Sequence, residues 1–155
     1  MNKACLNKAF RILARRDHSR AELTRKLAEH GYDGQSIQSV INECQRLGYL
    51  DDKRFAYTYC EQLLRKGYGP IVIQQKLYAK GLPAGIIKEC VASHCDESVQ
   101  LDVCRRVLAK KTKNFSDEIT LLNARAKHQR FLLGRGFSSQ IACQIIEEAI
   151  GREEE

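Results

Sequence analysis

Apolar side chains recur along this chain with the period of an α-helix. Leu6, Ala9, Phe10 and Leu13 fall at i, i+3, i+4 and i+7, which places them on one stripe of a helical surface. Ile37, Val40, Ile41 and Cys44 repeat that spacing, as do Ala56, Tyr59, Cys60 and Leu63, and again Ala142, Ile145, Ile146 and Ala149. No segment alternates convincingly with period two, so no sheet is predicted. Polar punctuation falls where helices should begin. Ser19-Arg20-Ala21-Glu22 has the pattern of a capping box, and Asp33, Asp51 or Asp52, Ser116 or Asp117, and Ser138 are further candidate N-caps. Pro70 and Pro83 suit a first helical turn, where a missing N–H costs nothing. Gly31, Gly48, Gly67, Gly81 and Gly136 follow apolar stretches and suit the left-handed residue that closes a helix.

The chain also resembles itself. Leu27, Leu77 and Leu132 each stand four residues before a glycine, and Tyr32, Leu82 and Phe137 directly follow that glycine. Nine and ten residues past the glycine come Val40-Ile41, Cys90-Val91 and Ile145-Ile146. The pattern predicts an all-α chain of three tandem three-helix repeats, at 1–50, 51–95 and 96–150, with a charged tail at 151–155. Units this small are marginal alone, so they are expected to share apolar surface in an elongated, curved solenoid. Tyr49 and Leu50 are expected to wedge at the first junction. The alternative is one compact helical bundle in which the self-similarity only echoes a helix–Gly–helix pattern.

Composition narrows the function. An apolar fraction of 43% supports a packed interior. Lys and Arg outnumber Asp and Glu by 26 to 19, a net charge of +7 that suits a polyanionic partner, nucleic acid or an acidic protein surface. The excess is concentrated. Residues 1–30 hold eight basic side chains against three acidic ones, and residues 105–135 hold nine against Asp117 and Glu118 alone. No apolar run approaches the ~18–20 residues that span a bilayer. Met1–Ala14 lacks the continuous apolar core of a secretory signal, and a cytoplasmic protein without a membrane partner is expected. The seven cysteines never form a CxxC pair and read as small hydrophobes of a reducing compartment. Cys90 and Cys95 flank His94, but a fourth metal ligand has no obvious source, so neither metal nor cofactor is expected.

Catalytic patterns are missing. The chain has no GxxxxGK[ST] or GxGxxG phosphate loop, no HExxH and no GxSxG elbow. His18, His30, His94 and His128 are scattered, and the carboxylate pairs Asp51-Asp52, Asp96-Glu97 and Asp117-Glu118 precede helices, where negative charge stabilises the helix N-terminus. The expectation is a non-enzyme. His18 reads as a turn residue and His128 as a partly buried one.

Four segments carry a resemblance to the RecX family. Ala9–Leu23 (AFRILARRDHSRAEL) is similar to its opening signature, and Leu47–Ala56 (LGYLDDKRFA) resembles the second. Gly67-Tyr68-Gly69-Pro70 with Ile73 and Leu77 resembles the third, and Arg130-Phe131-Leu132 with Arg135-Gly136-Phe137-Ser138 the last. The resemblance implies a bacterial cytoplasmic regulator that binds the RecA filament on DNA. It implies inhibition of ATP hydrolysis, strand exchange and co-protease function, and so modulation of recombinational repair and the SOS response. The expected partners are the RecA filament and, more weakly and electrostatically, single- and double-stranded DNA, with the chain acting as a monomer.

On charge, the expected contact face comprises Arg15, Arg16, Arg20, Arg25 and Lys26 in the first unit and Lys76 and Lys80 in the second. In the third it comprises Arg105, Arg106, Lys110, Lys111 and Lys113, then Arg125, Lys127, Arg130 and Arg135. Two other readings compete. A helix-turn-helix DNA-binding protein would read base edges from Gln35, Gln38 and Asn42, which lack basic neighbours. A general helical-repeat adaptor would need no basic bias at all.

Overall fold

The computed structural model describes residues 1–113 and 121–153, the side chains at 121–123, 152 and 153 excepted; Ser116, Asp117, Glu118 and the last two glutamates of the tail lie outside the described residues. Among the described residues the chain is entirely helical. Its helices are α1 (Lys3–Arg15), α2 (Arg20–Glu29), α3 (Gly34–Arg46), α4 (Asp52–Arg65), α5 (Pro70–Ala79), α6 (Ala84–His94), α7 (Glu97–Thr112), α8 (Leu121–Gly134) and α9 (Ser139–Glu153). None is long and apolar enough to cross a membrane.

Local chemistry explains the helix ends. Ser19 accepts from the Glu22 backbone N–H while the Glu22 carboxylate accepts from that of Ser19, closing the capping box expected there. Asn2, Asp33, Asp51, Asp96 and Ser138 cap α1, α3, α4, α7 and α9 in the simpler way, each side-chain oxygen accepting a backbone N–H three residues on. The C-termini explain the internal repeat. All five glycines picked out as helix closers have positive φ. At each, the glycine N–H donates to the carbonyl three residues back, and the next residue donates to the carbonyl five residues before itself. This Schellman turn brings the residue after the glycine against the last turn of the helix, and an apolar pair there closes it. Hence Leu27 pairs with Tyr32, Leu77 with Leu82 and Leu132 with Phe137, and all three leucines are fully buried.

The chain forms two compact units. Unit 1 comprises residues 1–59 and 77–90, and unit 2 comprises 60–76 and 91–155, so the middle helical triplet is divided between them. In unit 1, α1, α2 and α3 pack around Cys5, Ala9, Ile12, Leu23, Leu27, Val40, Ile41 and Cys44, and Leu50 joins them. Tyr49 does not wedge inward beside Leu50. It is exposed, its ring edge-on to Phe10 at 5.6 Å, because the turn that buries Leu50 points the preceding side chain outward. In unit 2, α7 and α8 pack on α9 around Val103, Cys104, Val107, Leu108, Leu132, Phe137, Ile141, Ile145 and Ile146. Burying each such aliphatic side chain contributes about 1.5–3 kcal/mol. All seven cysteines are free and six are buried; burial pushes the Cys104 thiol up to about 11, so it is an inert filler.

Unit 1 has a polar knot at the α1–α2 corner. The Glu22 carboxylate is only 7% exposed and accepts from Lys80 at 2.8 Å and Arg16 at 3.1 Å. Burial alone would raise its pKa, but these hydrogen bonds outweigh that and hold it below the ordinary carboxylate value. The Ser19 hydroxyl, in turn, donates to the Lys80 carbonyl. Unit 2 has a backbone clasp instead. Gly69 N–H donates to the Arg135 carbonyl at 2.8 Å and Ile71 N–H to the Gly136 carbonyl at 3.1 Å, so the two Gly-containing turns lie against each other. A Cβ on Gly69 would sit 2.5 Å from the Gly136 carbonyl carbon and oxygen, which is why no larger residue fits.

Candidate polyanion-binding clefts

Each unit carries a cleft lined by cations. In unit 1 it lies along α1 and α2. Lys8, Arg11 and Arg15 follow at i, i+3 and i+7 on one face of α1, beside the buried stripe, and Lys26 and His30 come from α2 at i, i+4. Arg16 and His18 enter from the link between the helices, Ile12 supplies the only apolar wall, and no carboxylate lines the cleft among the described residues. Arg16 is tied to Glu22 and to the Asp17 carbonyl. Lys8, Arg11, Arg15 and Lys26 have no ion-pair partner among the described residues.

His18 forms part of the floor and is 3% exposed. Its Nδ1 stands 2.9 Å from the Arg16 carbonyl and donates to it, which leaves Nε2 buried without a partner. Burial pushes its pKa down, and the neighbouring Arg16 and Lys26 charges add to that. It is a neutral structural imidazole, as a turn position would have it, though far more buried than an ordinary turn residue.

The unit 2 cleft, of about 400 Å³, forms where α4 ends, beside α7 and α8. Arg65, Lys66, Arg106, Lys110, Lys111 and Arg135 surround Gly67, Val107 and the ring of Phe131, again with no carboxylate in the lining among the described residues. Two of these cations are fixed in place. The Arg106 guanidinium donates to the carbonyls of Leu64 and Arg65, and Arg135 donates to that of Lys66. Both thereby satisfy the open C-terminus of α4. Arg135 also lies 5.0 Å from the Tyr68 ring centre and 5.6 Å from that of Phe131, and the Lys111 ammonium rests 3.9 Å above Phe131. The backbone clasp holds the Arg135 and Lys66 turns together.

The sixteen cations expected from charge alone divide three ways. Arg15, Arg16 and Lys26 line the first cleft, and Arg106, Lys110, Lys111 and Arg135 the second. Several others are engaged in structure. Lys80 holds the buried Glu22, Arg105 pairs with Glu148 and Asp102, Arg125 with Glu147, and Arg25 with Glu29. Arg20 donates to the Gln45 side chain, and Lys76 lies over the Tyr68 ring. Lys113, Lys127 and Arg130 are exposed outside both clefts. Sequence reasoning passed over Lys8, Arg11, Arg65 and Lys66. The i, i+3, i+7 spacing of Lys8, Arg11 and Arg15 was the available signal. Base readout from α3 finds no support: the helix opens on the Asp33 carboxylate, and Gln38 and Asn42 bond each other.

A helical-repeat scaffold with two clefts lined by cations, and no carboxylate lining them among the described residues, has surfaces suited to a polyanionic partner. Comparison with known proteins makes the assignment specific. Residues 5–44 match the first three-helix domain of RecX and residues 51–91 the second. The chain is 35% identical to the regulatory protein RecX of Legionella pneumophila (strain Corby) over 148 residues, covering 96% of this chain and 95% of that one. It is 37% identical to that of Shigella sonnei over 143 residues, covering 85% and 83%. The crystal structure of RecX from Lactobacillus salivarius superposes with a TM-score of 0.83 at 25% identity over 94% of both chains. The chain belongs to the RecX family. These relatives are named regulatory proteins rather than enzymes.

Proposed function

We propose that this chain is a cytoplasmic regulator that binds the RecA–DNA filament and restrains it by occupancy, without chemistry of its own. On this reading it inhibits ATP hydrolysis, strand exchange and co-protease function, and so tempers recombinational repair and the SOS response. Family membership supplies the partner. The structural observation that carries the reading is the pair of clefts in which cations converge with no lining carboxylate among the described residues. Lys and Arg so arranged favour a polyanion through charge-assisted hydrogen bonds and counterion release. DNA is the secondary partner, met electrostatically whether single- or double-stranded. Both clefts draw on segments similar to RecX signatures: the opening one supplies Arg11, Arg15, Arg16 and His18, and the third and fourth meet at the unit 2 clasp. The chain, with helical triplets at 1–50, 51–95 and 96–150, acts as a monomer.

The test follows RecA's DNA-dependent ATP hydrolysis with substoichiometric and then equimolar protein. A marked drop that excess bare DNA does not relieve supports the regulator reading. Relief by excess DNA would instead indicate competition for DNA alone. Reversing Lys8, Arg11 and Arg15 together to Glu should weaken inhibition and flatten its salt dependence, with the slope changing by about 0.7–0.9 for each phosphate contact removed. Unaltered inhibition rejects the unit 1 cleft as the contact.

A further inference from the structure

The two clefts differ in one chemical respect. Unit 1 offers cations and two imidazoles around a single aliphatic wall, whereas unit 2 sets an aromatic ring among its cations. We propose that the unit 2 cleft holds a short stretch of single-stranded DNA, one base laid on the Phe131 ring and the flanking phosphates on Arg65, Lys66, Lys110 and Arg135. The proposal rests on the reading that DNA is a partner of this chain, and it assigns that contact to a place and a strand state.

Three observations converge on it. Phe131 is only partly buried and lines the cleft wall, so part of its surface is open to a ligand. The Lys111 ammonium now occupies the ring at 3.9 Å, which shows that this face accepts a π-bound group. A cation–π contact at an exposed site is weaker than the stacking of a base on an aromatic ring, so a base can displace the ammonium toward a phosphate. Finally, Arg135 is already held by the Lys66 carbonyl and by the rings of Tyr68 and Phe131, which reduces the ordering required on binding.

A volume of about 400 Å³ suits a small organic group such as a nucleotide. A base inside a duplex is already stacked on its neighbours and cannot be laid on a side-chain ring unless it is taken out of the stack. That selects a single strand. An acidic peptide would use the cations but gain nothing particular from the ring.

The experiment measures anisotropy of a labelled short oligothymidylate and an abasic strand of equal length, each with the full chain. The base-bearing strand should bind at least about 5-fold more tightly, the lower bound for stacking one base. Phe131→Leu should bring that ratio to one, with circular dichroism checking that the variant remains folded. Phe131→Tyr should restore the ratio, and Lys66→Glu with Lys110→Glu should weaken both strands. A wild-type ratio of one, a ratio that survives Phe131→Leu, or displacement by polyglutamate as readily as by polyphosphate would each overturn the proposal. Failure of wild type to restrain RecA, with the ratio intact, would strike only the regulator reading; a ratio of one with RecA still restrained would strike only this one.

Discussion

Replacing three glycines one at a time separates two physical costs. Gly48 has φ +78° and nothing within 4 Å of where an added methyl would sit, so Gly48→Ala meets backbone strain alone. The left-handed penalty is about 1–2 kcal/mol, partly offset by a less flexible unfolded chain, which leaves about 1 kcal/mol. Gly69 has no positive φ, but its added Cβ would lie 2.5 Å from the carbonyl carbon and oxygen of Gly136 and 2.7 Å from the Phe137 nitrogen. These are backbone atoms that cannot rotate away. Overpacking of this kind costs about 1–3 kcal/mol, and parting the turns weakens two backbone hydrogen bonds worth about 1 kcal/mol each, so Gly69→Ala should cost about 3–4 kcal/mol. Gly136→Ala combines φ +100° with contacts of 2.6–2.9 Å to Val72 and should cost most. At about 2–4 °C per kcal/mol for a chain of this size, thermal unfolding followed by circular dichroism should rank the midpoints wild type, Gly48→Ala, Gly69→Ala, Gly136→Ala. Urea titrations would check that the m-value is unchanged. A Gly69→Ala midpoint equal to that of Gly48→Ala would refute the idea that close backbone approach, rather than conformation, demands glycine there.

Two titratable groups give further tests. Glu22→Gln should cost about 2 kcal/mol at neutral pH, since it removes a buried charge that Lys80 and Arg16 both satisfy. Because the folded-state value of Glu22 lies below its ordinary one, that difference should persist above pH 4.5 and close as the pH falls through the folded value; a difference indifferent to acid would reject the pairing as its source. For His18 the folded value lies below the ordinary 6.5, so in the interval between them the unfolded chain binds the extra proton. Stability should therefore be full above about pH 6.5 and drain as the pH falls below it, and urea midpoints of His18→Gln should show a smaller loss over that range. An identical loss in the variant would move the effect to another group.

The parts of the fold legible in the sequence are those decided within a few residues. Leu27, Gly31 and Tyr32 specify a Schellman turn by themselves, and Ser19 with Glu22 specifies a capping box, so helix ends and the repeat could be read directly. The site was legible only in outline. Charge counts found the cationic ends of the chain, but whether a given cation is available depends on partners far away in sequence. Lys80 meets Glu22 across 58 positions and Arg105 meets Glu148 across 43, and neither pairing leaves a local trace. Tyr49 shows the same limit, because whether the residue after a helix-closing glycine turns inward depends on what packs against it. Lys8 and Arg11 are different, because their i, i+3, i+7 spacing with Arg15 on one helical face is visible in the sequence itself.

The two clefts also differ in what holds their cations, and this bears on how each is expected to work. In unit 1, Lys8, Arg11 and Arg15 stand on one face of a continuous helix with no ion-pair partner among the described residues, where flexible side chains adapt to whatever phosphate spacing they meet. Such a surface gives affinity that falls steeply with salt and discriminates little. In unit 2 the guanidiniums of Arg106 and Arg135 are fastened to carbonyls at the end of α4, and the turn carrying Arg135 is fastened in turn by Gly69 and Gly136. Fixed donors around a ring lose less freedom on binding and select for shape. The glycines that bring the two turns together therefore do more than permit the fold: with a side chain at either position the turns must part, and the proposed contact of Arg135 and Lys66 with one ligand should be lost.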